Sequence, residues 1–259
     1  MKIPGRVAVV TGAGGGGQGR AFSQRLAREG ASVIVSDVDE RGGLETVRLI
    51  QSQVGRAAFF RADAGVESDI RALIAFGEKV YGGVDIVVNN AGPYFPDAPL
   101  EKWVETIQVN LMGTVYGTLF GIEAMRRRGG GAIVNLGSTS AVGHGFKHSP
   151  APAYDVAKAA VARLTTTLAW LREKENIRVN CIVPDWVATD EVKAYVDTLT
   201  PEQCKEQGVP LPLTTLEEAA DAVMELIRND NLAGRVMVWW TGQKRGLIPV
   251  GDPGYTRLE

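Results

Sequence analysis

Three near-continuous apolar runs, Val7-Ala8-Val9-Val10, Val33-Ile34-Val35 and Ile86-Val87-Val88, alternate with stretches whose apolar residues recur at helical spacing. A strand that is apolar at every position has no face to give to water, so it must be buried on both sides. Helices packed on both faces of a parallel sheet meet that demand. The first sixty residues read as strand (6–11), glycine-rich turn, helix (20–29) and strand (31–36), a βαβ unit. The alternation continues with a helix over 40–54, a strand over 57–61, a helix over 66–80 and a strand over 84–88. A long helical region then follows Pro99 to about residue 128, before a strand over 132–136, a helix over 154–174 and a strand over 178–183. A helix over 216–228 and a strand over 235–239 bring the expectation to about seven parallel strands in one doubly wound α/β domain over residues 1–259. Two stretches, 139–153 and 185–212, are irregular, rich in Gly, Pro and Ser or broken by prolines, and fall just after strand ends. Open α/β sheets bind their ligands there.

Composition narrows the function. Hydrophobic residues make up 45%, charged ones 22%, and the formal net charge is −2 with Lys and Arg scattered. No basic face is expected to follow a nucleic acid, and no apolar run approaches the roughly 20 residues that span a bilayer. The opening residues hold one lysine but no apolar stretch of about 7–15 residues, so a cytoplasmic protein is expected. Cys181 and Cys204 are too few for a disulfide framework and too irregular for a metal site, and read as inert thiols.

Thr11-Gly12-Ala13-Gly14-Gly15-Gly16-Gly17-Gln18-Gly19 follows the first strand and opens the first helix. Glycines there let backbone approach a pyrophosphate, and the helix N–H groups face its charge. The second strand ends on Asp37, whose carboxylate can accept from adenosine ribose hydroxyls and would repel a 2′-phosphate, and neither Gly16 nor Ser36 offers a cation for that phosphate. The expected cofactor is NAD. Asp39, just before a helical stretch, reads as the helix cap.

Tyr154 and Lys158 stand four apart at a helix start, on one face. An adjacent ammonium favours the phenolate of a tyrosine, which makes the pair a candidate acid/base couple. The pair has company: Asn89-Asn90-Ala91-Gly92 after the fourth strand, Val109-Asn110, and Ser138 after the fifth strand. With the glycine turn, these features in this order resemble the short-chain dehydrogenase/reductase family over almost the whole chain, and so imply a Rossmann fold. The resemblance implies Tyr154 as general acid/base, and Lys158 as the group that lowers its pKa and holds the nicotinamide ribose. It implies Ser138 at the substrate oxygen and Asn110 as anchor of a water that relays protons to Lys158. Asn90 and Gly92 match the segment lining the adenosine side, and Asp63 the position near adenine. Val187 and Thr189, in Pro184-Asp185-Trp186-Val187-Ala188-Thr189, fall on the cofactor segment, Thr189 matching the contact to the carboxamide. It also implies a homo-oligomer, a tetramer first, paired through the helical regions 100–128 and 154–174.

The sequence departs from the family pattern at several places. The glycine turn is one residue longer than usual, and Gly12, Gly17 and Gly19 are taken as the pyrophosphate glycines with the insertion between the first two. Gly137 replaces the first residue of a Ser-Ser pair, with Ser140 as a second candidate hydroxyl. Asp185 replaces a glycine and either caps the next segment or reads a polar substrate group. The end, from Trp239-Trp240-Thr241-Gly242 onward, lacks the usual signature.

Tyr94, Phe95, Phe146, Trp186 and Tyr195 fall on segments that the family uses around the substrate, and suggest a largely apolar or ring-containing secondary alcohol or ketone; core or interface packing is the alternative. His144, Lys147 and His148 read as solvated loop residues rather than metal ligands. An epimerase or dehydratase of the longer branch would need about 50–200 further residues for a substrate domain. A non-catalytic NAD-binding regulator would have no need of Asn110, Ser138, Tyr154 and Lys158 together.

Overall fold

The computed structural model describes residues 1–142 and 149–251. The first half is β1 (Val7–Thr11), α1 (Gln18–Arg28), β2 (Ser32–Asp37), α2 (Glu40–Gln51), β3 (Arg56–Arg61), α3 (Glu67–Tyr81) and β4 (Ile86–Asn89). The chain continues through α4 (Leu100–Ile107), a π-helical turn (Gln108–Met112), α5 (Gly113–Arg128), β5 (Gly131–Leu136), α6 (Pro152–Thr167) and α7 (Leu171–Glu175). It ends with β6 (Ile177–Pro184), α8 (Asp190–Val196), α9 (Pro201–Glu206), α10 (Leu216–Arg228), β7 (Val236–Trp239) and β8 (Gly246–Leu247).

The strands form one sheet in the order β3-β2-β1-β4-β5-β6-β7-β8. All neighbours pair in parallel except β8, a short antiparallel edge on β7 that the apolar pattern did not announce. Successive residues point to opposite faces. Thus Ala8, Val10, Val33, Val35, Ile86 and Val88 join one core with Phe22, Leu26, Ile50 and Leu226 of α1, α2 and α10. Val9, Ile34 and Val87 join the other with Ile70, Leu73, Phe120 and Met125 of α3 and α5. The runs 7–10, 33–35 and 86–88 are apolar at every position because both faces are covered there.

The chain runs outward from β1 to β3, then returns to lay β4 beside β1. That reversal opens a crevice beyond the carboxyl ends of β1 and β4. At the opposite end, Asp85 is fully buried and accepts from Val7 N–H (2.9 Å), Arg6 Nη1 (2.9 Å) and Arg128 Nε (3.3 Å). Nearer the crevice, Asn89 Nδ2 donates to Asn135 Oδ1 at 2.9 Å and Asn135 Nδ2 to Thr165 Oγ1 at 3.0 Å, a buried rung that fastens α6 to β4 and β5.

Two helical expectations are corrected. The region 154–174 breaks after Thr167, where three threonine hydroxyls in succession donate to backbone: Thr165 to Val161, Thr166 to Arg163 and Thr167 to Leu164. Such back-bonding competes with helix continuation. The region 100–128 is two α-helices joined by the π-turn that carries Asn110. Among the described residues, no helix is long and apolar enough to cross a membrane.

Candidate active site

Thr11 ends β1, and its hydroxyl accepts from the N–H groups of Asn90 and Ala91, both at 3.1 Å. The Asn90 amide answers by donating to the carbonyls of Thr11 and Gly12, both at 3.0 Å. These four bonds zip the ends of β1 and β4 together and bring backbone against backbone. Gly12 sits at φ +64, and a Cβ there would lie 2.7 Å from Ala91 Cα. A Cβ on Gly19 would collide with the Gly12 carbonyl. Gly17 is the N-cap of α1 and rests on the methyl of Thr189, whereas Gly15 meets nothing, so the longer turn has room to bulge there.

No side chain caps α1 at Gly17, so its first N–H groups are left for an anion. Gln18 Oε1, in the same turn of chain, is buried without a hydrogen-bond partner among the described residues. The bare glycine cradle and the uncapped N–H groups of α1 fit a dinucleotide pyrophosphate.

Asp37 Oδ2 accepts from Gly14 N–H at 2.7 Å and Oδ1 from Asp39 N–H at 3.0 Å. Asp39 holds the N-cap position of α2 but its side chain makes no capping bond, which corrects its expected role. Arg20 is turned inward: it donates to the Gly14 carbonyl (2.6 Å) and to Thr46 Oγ1 (2.9 Å). After β3, Asp63 Oδ1 accepts from Gly65 N–H at 2.8 Å.

Pro152 starts α6, so Tyr154 lies in its first turn and Lys158 one turn on. Lys158 is 3% exposed and donates from Nζ to the Leu136 carbonyl at 2.9 Å, with Nζ 5.3 Å from the centroid of the Tyr154 ring. Burial pushes its ammonium down to about 8. Burial also pushes the Tyr154 phenol up to about 12, against a pull downward from the Ser138 hydroxyl. In the free protein, then, desolvation outweighs the help expected from the ammonium, and Ser138 is the neighbour that favours the phenolate.

Ser138 caps a 3₁₀ turn, Thr139–Ala141, and its Oγ lies 3.0 Å from Ser140 Oγ. Asn110 is fully buried, and its amide donates to the carbonyls of Pro93 (3.0 Å) and Thr106 (3.1 Å). Its Oδ1 has no partner among the described residues. Gly92 faces that oxygen: a Cβ there would collide with Asn110 Oδ1 and stand 3.0 Å from Lys158 Nζ. The glycine thus keeps open the space between the two groups.

Tyr154 has one aromatic neighbour among the described residues. Tyr94 meets it edge-on, 5.1 Å between centroids, and is 50% exposed. Tyr195 stacks on Trp186, with ring centroids 6.2 Å apart. Phe95 instead lies under Lys102 Nζ at 5.7 Å. Phe146, His144, Lys147 and His148 lie outside the described residues. Val187 is buried and bridges to Thr214, and Thr189 caps α8 by accepting from Val192 N–H at 3.3 Å. The capping alternative for Asp185 is corrected, because Thr189 holds the cap, and the Asp185 carboxylate accepts from Thr139 and Thr241. Thr11 and Thr139 were missed in the sequence; only Thr11, directly before the glycine turn, carried a local signal.

Fold and site together define an α/β protein with a dinucleotide crevice and a Tyr, Lys, Ser and Asn cluster beside it. The profile of the short chain dehydrogenases matches residues 6–200, and the chain belongs to that family of oxidoreductases. It is 34% identical to the cis-4-hydroxycyclohexanecarboxylate dehydrogenase of Sinomonas cyclohexanicum, over 98% of this chain and 97% of that one. It is 31% identical to the 7alpha-hydroxysteroid dehydrogenase of Escherichia coli K12, over 85% of each. A solved 7alpha-hydroxysteroid dehydrogenase complexed with NADH and 7-oxo glycochenodeoxycholic acid superposes with TM-score 0.83 at 30% identity, over 93% of this chain and 95% of that one.

Proposed function

We propose that the protein interconverts a secondary alcohol on an apolar ring and the corresponding ketone, with NAD(H) as its partner. The observation that carries this reading is the convergence of Tyr154, Lys158, Ser138 and Asn110 beside the glycine cradle. In alcohol oxidation Tyr154 Oη takes the hydroxyl proton while Ser138 Oγ holds the substrate oxygen; ketone reduction runs the same transfer backward. When bound, the nicotinamide would supply the hydride chemistry, as acceptor from the carbinol carbon or, reduced, as donor to the ketone carbon. Lys158 holds the nicotinamide ribose, and the Asn110 carbonyl oxygen, across Gly92 from Lys158 Nζ, would anchor by acceptance a water through which the proton passes between Lys158 and solvent. Gly12, Gly17 and Gly19 cradle the pyrophosphate, Asp63 and Asn90 flank the adenosine side, and Val187 and Thr189 border the carboxamide.

NAD is favoured over NADP because the Asp37 carboxylate, ending β2 beside the glycine turn, would repel a 2′-phosphate there, and Arg20 is committed to inward contacts. A ring substrate is favoured by Tyr94 against Tyr154, by the Trp186–Tyr195 stack on the segment after β6, and by the named substrates of the relatives.

Absorbance of NADH, followed with cis-4-hydroxycyclohexanecarboxylate, a 7α-hydroxysteroid and an acyclic secondary alcohol, tests the reading. Turnover of a cyclic alcohol with NAD is expected. A preference for NADP overturns the cofactor, and inertness toward every secondary alcohol and ketone overturns the reaction. Asp37→Ala removes a charged acceptor, and the preference for NAD over NADP should fall by about tenfold or more. An unchanged ratio of kcat/KM for the two cofactors would remove Asp37 from the discrimination.

A further inference from the structure

Asp185 follows β6 directly, and its backbone N–H donates to the Trp239 carbonyl at 3.0 Å. Its carboxylate reaches in two directions. Oδ1 accepts from Thr139 Oγ1 at 3.0 Å, and Oδ2 from the N–H of Thr241 at 3.2 Å. Thr139 is 6% exposed and adjoins Ser138, whose hydroxyl faces Tyr154. Thr241 lies beyond β7, and its hydroxyl is 3.1 Å from that of Thr214. Thr214 in turn donates its N–H to the Trp186 carbonyl (3.0 Å) and accepts from Ala188 N–H (2.8 Å). One ionised side chain therefore joins the loops that leave β5, β6 and β7 on the crevice side of the sheet. Carboxylate acceptors make stronger hydrogen bonds than neutral ones, and a bond to each oxygen fixes the plane of the group as well as its position.

We infer that Asp185 is a positioning residue: through Thr139 it sets where Ser138 presents its hydroxyl, and through Thr241 it ties that setting to the segment after β7. The inference rests on the proposed place of Ser138 at the substrate oxygen. A hydroxyl that must meet the oxygen and Tyr154 at once tolerates little displacement, because misplacement by about 1 Å can cost a hundredfold in rate. A glycine at this position would leave Thr139 Oγ1 without this acceptor and the Thr241 N–H without this bond.

The test uses the full chain, NAD and an alcohol that the wild type turns over. Thr139→Val and Asp185→Gly are each expected to lower kcat by about ten- to hundredfold, with the NADH dissociation constant, read by fluorescence titration, within about twofold of wild type. The double variant should fall no further than the worse single one, since both changes break the same tie. Thr139→Ser keeps the donor and should restore kcat to within about twofold of wild type. Asp185→Asn keeps one acceptor for Thr139 but offers Thr241 N–H no second oxygen, and should lie between.

Wild-type kcat in either Thr139→Val or Asp185→Gly overturns the inference. So do losses that multiply in the double variant, and so does a loss of NADH affinity as large as the loss in kcat. Should Asp185→Gly fail to fold, Thr139→Val, Thr139→Ser and Asp185→Asn decide the matter. An active Tyr154→Phe protein, or a wild type that turns over no alcohol, would bring down the reading of the site and this tie with it. An inactive Tyr154→Phe beside a fully active Asp185→Gly brings down the tie alone.

Discussion

Replacing Tyr154 by phenylalanine is expected to lower kcat in both directions by about 10²- to 10⁴-fold, the usual contribution of a positioned acid/base group. The substitution is narrow. Phenylalanine keeps the ring that meets Tyr94 edge-on and the face over which Lys158 Nζ lies at 5.3 Å, and removes only Oη. NADH affinity should therefore stay within about twofold, because the lost atom belongs to the transition state rather than to the cradle. Thermal stability should change little, since one hydroxyl with one hydrogen bond contributes about 1 kcal/mol net. Stopped-flow or steady-state rates, with NADH titration on the same preparation, check all three. A variant that binds NADH and still turns over at the wild-type rate would remove Tyr154 from the proton transfer.

The parts of this molecule that could be read in advance are those in which neighbours in sequence decide the outcome. Val7 to Val10 had to form a strand with both faces covered, and the glycines after it had to turn where backbone meets backbone. Tyr154 and Lys158 share a helix face because α-helical spacing puts them there. What stayed hidden depends on partners far along the chain. The carboxylate of Asp185 has its partners 46 and 56 residues away, on loops whose approach only the finished sheet creates. The π-turn that carries Asn110 has no local signature in Gln108-Val109-Asn110-Leu111-Met112, yet it stands where the Asn110 amide fastens to the Pro93 and Thr106 carbonyls. Asp39 had the better position for a cap and Asp37 the better geometry, being drawn to the glycine turn by the pairing of β1 with β2. Proximity of Tyr154 and Lys158 was legible. The depth of their burial was not, and burial is what drives their pKa values apart, the phenol up and the ammonium down.

That depth has a consequence for stability, and Lys158→Met is expected to reveal it. A fall from 10.5 to about 8 means that holding the ammonium in place costs on the order of 3 kcal/mol. Below pH 8 the lysine is charged in both the folded and the unfolded chain, and the cost is felt in full. Between pH 8 and 10.5 the unfolded chain holds the proton and the folded chain does not, so stability rises with pH through that window. Above 10.5 neither state is charged and the cost is gone. Methionine has no proton to lose and fills similar space, but it leaves the Leu136 carbonyl without its 2.9 Å donor, a penalty of about 1–3 kcal/mol. At pH 7 the two effects nearly cancel or favour the variant slightly, whereas at pH 10.5 only the lost hydrogen bond remains and the wild type is the more stable. The difference between the two proteins should thus swing by on the order of 3 kcal/mol toward the wild type from pH 7 to pH 10.5. Ionisation of other groups, including a phenol pushed up to about 12 at Tyr154, acts on both proteins and largely drops out of the comparison. Urea unfolding of both at pH 7, 8.5 and 10 measures the swing. A difference that stays constant with pH would mean that the Lys158 ammonium is not destabilised by its surroundings. If the swing appears while the variant has lost turnover, the charge that destabilises the fold is the one that the proposed chemistry requires, since a lysine kept dry beneath Tyr154 can only be held there by the packing of α6 against β5 and β6.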